Sequence, residues 1–415
     1  MLKKISVTQL EVGMHLKELC GSWMDHPFWR SGFVITDAKD IATILASSIK
    51  EAWIDTSKGI DVPAAAVGVP ARPHIQSEVQ AQAEMQRDLE QQRDVAPAST
   101  AQELQRAAKI CLQSKRAVMS MFEEARMGKM VDTAGAMKLV ESITDSVVRN
   151  PGALISLARL KTADDYTYMH SVAVCAMMVS LAKQLGLDDG QTRLAGLAGL
   201  MHDLGKAAMP VEVLNKPGKL TAAEFDIIKT HPEAGYKLLL TGTDVDPMIL
   251  DVCLHHHEKS DGTGYPKGLK GDQISLFAKM GAVCDVYDAI TSNRPYKIGW
   301  DPAESLRRMA EWANGHFDAK IFQAFVRSLG IYPVGSLVQL SSGRLGVVTE
   351  QTGKSLTAPL VKVFFSTKSN MRIVPQVVDL SRGDTKEKIV SREDPAKWRF
   401  ADLDQLWSGV VTQKR

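Results

Sequence analysis

The spacing of hydrophobic and polar positions changes character three times along the chain. Over residues 1–62, short alternating runs flank a helical stretch, "DIATILASSIKEAWID", and together they predict a small α+β domain. Residues 63–100 are rich in Ala, Gln and Pro and poor in large apolar side chains, the composition of a linker or a solvated helical arm. From Thr100 to Leu329 the apolar positions recur with helical spacing almost throughout. "STAQELQRAAKICLQSKRAVMSMFEEARMG" predicts one long helix stopped at Gly128. Two later helix starts carry capping boxes, Thr221 with Glu224 and Asp301 with Glu304, the second with Pro302 in its first turn.

Beyond Gly330 the period drops to two. "SLVQLSSGRLGVVTE", "LVKVFFS" and "RIVPQVVDL" are rich in β-branched residues and separated by Ser-Gly turns, predicting a small antiparallel β appendage over 331–381. A charged tail of unsettled structure follows. The predicted fold class is therefore mainly α. A helical bundle at 131–330 follows an α+β domain at 1–62 and a linker with connecting helices at 63–130; a β appendage and tail occupy 331–415.

Composition narrows the function classes. With 45% hydrophobic and 24% charged residues the chain reads as globular, and a net charge of +2 gives no basis for coating a nucleic-acid polymer or a membrane surface. Any anion must be met by basic residues focused locally. The five cysteines form no CxxC pair, which fits a reducing compartment rather than a disulfide framework or a thiolate zinc site. The opening "MLKKISVTQLEVGM" lacks the apolar core of a signal peptide. The longest apolar run, "VAVCAMMVSLA", is 11 residues, against the ~20 that a membrane span needs. A cytoplasmic protein with no membrane span is expected.

Of ten histidines, six lie between residues 170 and 257. The candidates for chemistry are His170, the pair His202-Asp203, His231, the triplet 255–257 and Asp285. Imidazole and carboxylate suit divalent Fe, Mn, Zn or Ni. Adjacent side chains on a helix point ~100° apart, so His202 and Asp203 are awkward partners for one ion and better suited to two, with the carboxylate bridging. The same holds for neighbouring histidines. A lone His in an apolar helix such as "YMHSVAVCAMM" is ordinarily a core or surface group; the conjunction of all these residues in one helical domain points to metal.

Three strings, "HDLGK", "HHEKSDGTGYP" and "DVYDAITSNRPYK", together resemble the HD-GYP branch of the HD superfamily of metal-dependent phosphohydrolases. The likeness covers about 155–330 and is supported by "DDYTYMHS", "MPVEVLNKPGKLTAAEFDIIKTHPEAG" and "FDAKIFQAF". It implies a cyclic di-GMP phosphodiesterase of bacterial signalling, with metal ligands His170, His202, Asp203, His231, His256, His257 and Asp285. His255 lies outside the motif and is expected to be a bystander. The resemblance makes Lys206 the group that hydrogen-bonds the scissile phosphate. Gly264, Tyr265 and Pro266 then shape the nucleotide site, and in the family this loop also meets partner signalling domains. Arg294 and Lys297 look like a phosphate-binding pair, one fork and one point charge.

Some family members carry a Glu one turn before the first histidine, completing a third metal site. Tyr166 stands there in this chain, and Asp164 and Asp165 lie at the wrong helical angle to replace it. Two metals, Fe or Mn before Ni or Zn, are expected. Hydrolysis to pGpG and onward to GMP is the implied reaction. A non-hydrolytic cyclic-dinucleotide receptor or scaffold, and a phosphohydrolase for a different cyclic dinucleotide, are the competing readings. For residues 1–130 the expected role is packing or homodimerisation.

Overall fold

The computed structural model describes residues 2–20, 33–45, 50–61, 96–160, 166–216, 218–242, 245–293, 299–353 and 355–409. It divides into two units, Met1–Met85 and Gln86–Arg415.

In the first unit, β1 (Leu2–Ser6), β2 (His15–Cys20), β3 (Phe33–Val34) and β4 (Glu51–Asp55) form an antiparallel sheet ordered β1-β4-β2-β3, with α1 (Ala38–Leu45) inserted before β4. Ile5, Met14, Leu16, Ile35, Ile44 and Ile54 fill its core. The stretch expected to be helical through "EAWID" is corrected here. Glu51–Asp55 is a strand, with Ala52 and Ile54 buried and Glu51 and Trp53 outward, a period of two that a helical window hides.

The second unit opens with α2 (Thr100–Arg126), the predicted long helix, which ends as Gly128 turns to φ +69°. Leu104, Ala107, Cys111, Val118, Met121 and Phe122 give it one buried stripe. Next come α3 (Thr133–Arg149), α4 (Pro151–Arg159) and α5 (Tyr166–Gln184). Helix α5 is apolar on every side from Val172 to Ala182 and is buried throughout, so it forms the bundle's axis. Against it runs α6 (Asp189–Met201), brought close by small residues: a Cβ on Gly199 would sit 3.1 Å from the Cys175 Cα.

The bundle continues through α7 (Val211–Leu214), α8 (Ala222–Ile228), α9 (His231–Leu240), α10 (Pro247–His255), α11 (Leu276–Thr291), α12 (Pro302–His316) and α13 (Ala319–Leu329). Thr221 and Glu224 form the predicted capping box at α8. At α12 only half of the expected box exists. Asp301 caps the Ala303 and Glu304 amides, but the Glu304 carboxylate turns to Arg307, Arg308 and Arg392 instead, because three guanidiniums outbid one backbone amide.

Strands β5 (Leu337–Leu340), β6 (Arg344–Glu350), β7 (Leu360–Ser366), β8 (Met371–Asp379) and β9 (Ile389–Arg392) make an antiparallel sheet ordered β8-β7-β6-β5-β9. The charged tail supplies β9 and two short helices, α14 (Pro395–Trp398) and α15 (Leu403–Ser408). Leu337, Val347, Phe364 and Trp407 belong to the same apolar core as the bundle. Among the described residues no helix is long and apolar enough to cross a membrane.

One buried ion pair ties α2 to α3. Glu103, fully buried, accepts hydrogen bonds from Arg149 at 2.8 and 2.9 Å and from Ser146 at 2.7 Å. Truncating one partner strands the other charge away from water. Glu103→Ala is expected to cost about 3–5 kcal/mol, seen as a clear fall in the thermal unfolding midpoint. An unchanged midpoint would show that the pair contributes nothing net.

Candidate metal centre

Each candidate ligand sits where a helix starts, ends or crosses the bundle axis. His170 lies in the first turns of α5. His202 is the last helical residue after α6, and Asp203 leaves the helix at φ −99°, ψ 7°. His231 opens α9, His256 caps α10, and Asp285 lies on the buried face of α11. Close backbone packing brings these ends together. A Cβ on Gly205 would fall 1.9 Å from the His231 carbonyl oxygen, and one on Gly235 2.6 Å from Cys253 Sγ, so only glycine fits at either place.

The Asp203 carboxylate is the centre. Its Oδ2 lies 3.4 Å from His170 Nε2 and 3.3 Å from His202 Nε2; its Oδ1 lies 3.1 Å from His231 Nε2 and 3.8 Å from His256 Nε2. Asp285 Oδ1 approaches His170 Nε2 at 3.0 Å, and its other oxygen is 3.6 Å from His257 Nδ1. Two ligand groups result: Asp203 with His231, His256 and His257, and His170 with His202 and Asp285.

His202 and Asp203 fall in different groups, the division expected of adjacent ligands, although the helix ends between them and brings His202 Nε2 within 3.3 Å of Asp203 Oδ2. The histidine pair differs from the sequence reading. Both its members fall in one group, their rings 4.1 Å apart, since the chain has left α10 by His256. His255 hydrogen-bonds Asp251 at 2.9 Å and stands outside both groups.

These residues fit a pair of cations. His202 Nε2 and Asp203 Oδ1 are buried with no hydrogen-bond partner, a costly state for a lone pair and a carboxylate oxygen. A cation on each side of Asp203 satisfies both. The far nitrogens are already anchored: His170 Nδ1 to Asp288 at 2.6 Å, His202 Nδ1 to the Gly199 carbonyl at 2.8 Å, His231 Nδ1 to the Ile228 carbonyl at 2.7 Å. Each anchor leaves Nε2 facing the centre.

Charge is arranged to match. Burial opposes ionisation of Asp203, but Lys206 and His202 hold its pKa well below the usual range. Burial, with His257, His202 and His231 alongside, keeps His256 neutral, and burial pushes His257 down to about 3. For His170 burial works against the charge, yet hydrogen bonds to Asp203, Asp285 and Asp288 push the pKa up to about 10.

Asp288 and Glu258 were not singled out from sequence. Asp288 follows Asp285 by three residues on α11, so one face carries both ligand and anchor, a spacing legible in "DVYDAIT". Glu258, buried, takes the Lys267 and Leu269 amides at 2.7 and 3.0 Å and so fixes the turn that follows the histidines. In that turn a Cβ on Gly264 would fall 2.4 Å from the Lys259 amide. The Tyr265 ring stacks on His257, centroids 4.7 Å apart, and Pro266 follows through a cis peptide. Lys206 reaches Asp203 Oδ2 at 2.5 Å. Arg294, Lys297, Asp164, Asp165 and the side chain of Tyr166 lie outside the described residues.

Comparison with known proteins decides the family. The HD domain family matches residues 142–321, and a domain of unknown function, DUF3391, matches residues 2–136. A cyclic di-GMP phosphodiesterase of Pseudomonas aeruginosa, PA4108, is 54% identical over 412 residues, covering 99% of this chain and 97% of that protein. This chain belongs to the HD-GYP family. RpfG of Xanthomonas campestris, a cyclic di-GMP phosphodiesterase response regulator, is 38% identical over 41% of this chain and 47% of its own length. In fold, the HD-GYP chain resembles Bd1817 of Bdellovibrio bacteriovorus, with TM-score 0.50 and 17% identity over 78% of this chain and 98% of that one.

The His170 arrangement gives metal binding a sign with pH. The proton that the three carboxylates hold on His170 must leave before a cation takes Nε2. Below about pH 10 each binding event therefore releases a proton, and affinity falls as pH falls, by about tenfold per unit for one proton. Indicator competition between roughly pH 6 and 8 measures this; a flat profile would contradict it.

Proposed function

We propose that this chain hydrolyses cyclic di-GMP to linear pGpG, with GMP as the product of a second cut, using two divalent ions, Fe or Mn before Ni or Zn. The observation that carries this reading is the buried Asp203 carboxylate, whose two oxygens face histidines of both ligand groups. The relationship to PA4108 over nearly the full chain supports the substrate.

When bound, the ions polarise the phosphodiester and supply a nucleophilic water at neutral pH. Asp203 and Asp285 would hold the ions and offset their charge. The Lys206 ammonium, partly exposed beside Asp203, donates to a non-bridging phosphate oxygen as charge builds there. Attack in line forms the new P–O bond and breaks the bond to the 3′ oxygen, which leaves with a proton from solvent. Gly264, Tyr265 and Pro266 wall the nucleotide site. One face of Tyr265 is occupied by His257, so this ring holds the ligand histidine in place while its edge and hydroxyl face the nucleotide. Arg294 and Lys297 complete the phosphate contacts.

The exposed rim of the same turn, at Lys267, is the surface for a signalling-protein partner. Residues 1–130 serve packing or homodimer formation, and the protein acts in the cytoplasm.

Asp203→Ala is expected to lose bound metal and turnover together. Lys206→Ala is expected to keep its metal and lose about 10²–10³ in kcat. Product analysis from cyclic di-GMP with Fe(II) or Mn(II), alongside elemental analysis, reads both. Tight nucleotide binding by the wild type with no pGpG released would make the protein a receptor instead.

A further inference from the structure

A cavity of about 100 Å³ lies behind the metal centre, where α4, α5, α11 and the chain entering β5 meet. It adjoins the metal centre through one residue. Asp288, which holds His170 at 2.6 Å, lines it. Its size is several times the roughly 30 Å³ share of one water and below the ~150 Å³ apolar cavity that accepts benzene.

Its polar lining is mixed: Asp288, the one carboxylate among its described lining residues, already pairs with His170 and Ser292, while the remaining polar groups include one arginine and several hydroxyls. Arg159, at the end of α4, lines the cavity and makes no hydrogen bond or close ion pair among the described residues; the Trp407 ring lies 5.7 Å from its guanidinium. An arginine carries five donors in a fixed fork. Ser156 and Tyr287, both buried, also line the cavity, and neither hydroxyl has a partner among the described residues. Ile155, Met177, Leu329 and Val334 supply apolar lining. One guanidinium and two hydroxyls without hydrogen-bond partners among the described residues, lining a partly apolar space, suit an oxyanion with a short hydrocarbon end.

We propose that this cavity is a binding site for a small organic carboxylate, held by the Arg159 guanidinium with the Ser156 and Tyr287 hydroxyls. Occupancy couples to the metal centre through Asp288, and the coupling is reciprocal. The inference does not depend on which cyclic dinucleotide is cleaved.

Isothermal titration of the metal-loaded full chain with propionate, and separately with inorganic phosphate, tests it. Propionate should bind saturably, and Arg159→Gln should weaken it by about ten- to a hundredfold, the loss of a charge-assisted contact. Ser156→Leu, which fills the cavity without removing charge, should abolish the same heat while both variants still cleave cyclic di-GMP. Failure of the phosphodiesterase reaction in the wild type would bear on the preceding proposal and not on this one. Propionate binding unchanged in both variants would place it at the metals and overturn the site, as would no propionate heat in the wild type at tens of millimolar. Phosphate heat that survives in both variants, beside propionate binding weakened in Arg159→Gln and lost in Ser156→Leu, confirms that the cavity selects the carboxylate.

Discussion

Everything around the metal centre depends on keeping one carboxylate, Asp203, ionised and out of water. A lone buried carboxylate would take up a proton rather than bear the desolvation cost. Here Lys206 and the surrounding imidazoles hold it charged, and its two oxygens face different histidines. The bundle's form follows from that constraint. The Val172–Ala182 stretch of α5, apolar on every side, supplies an axis, and glycines at 199, 205 and 235 let backbones approach until helix ends meet around one point. A helix end is useful for this purpose because the chain can change direction between adjacent residues, as it does between His202 and Asp203.

A second layer makes the first one specific. Backbone carbonyls at Gly199 and Ile228 and the Asp288 carboxylate fix which ring nitrogen each histidine presents. Glu258 does the same for the turn carrying Tyr265 by gathering two backbone amides. These contacts explain why the cluster of candidate ligands is a property of the folded bundle rather than of a local loop. Ligands separated by more than a hundred residues converge only once the helices have packed.

Much of this was legible in the sequence, for identifiable reasons. Chemistry that depends on residue type and order, such as the histidines, Asp203 and Asp285, is written directly in the string. The helical regime from Thr100 and the β regime after Gly330 were readable because their periods differ. Other features were hidden. The splay predicted for neighbouring histidines assumed a continuous helix, and the chain has left α10 by His256. Glu304 looked like a capping residue until Arg392, distant in sequence, arrived beside it. Asp288 was visible as a spacing but has meaning only once His170 lies against α11. Helix direction, long-range partners and which of two carboxylates binds or orients are tertiary facts.

The cavity beside Asp288 extends the same logic, since it adjoins the metal centre through that one residue. The central claim, however, is the bridging role of Asp203. Elemental analysis of anaerobically purified protein, paired with X-ray absorption to register metal–metal scattering, tests it most directly. Two ions per chain, close enough to share one carboxylate, are expected, with the metal–metal signal lost in Asp203→Asn. One ion per chain, three ions, or a metal–metal signal indifferent to Asp203 would contradict it.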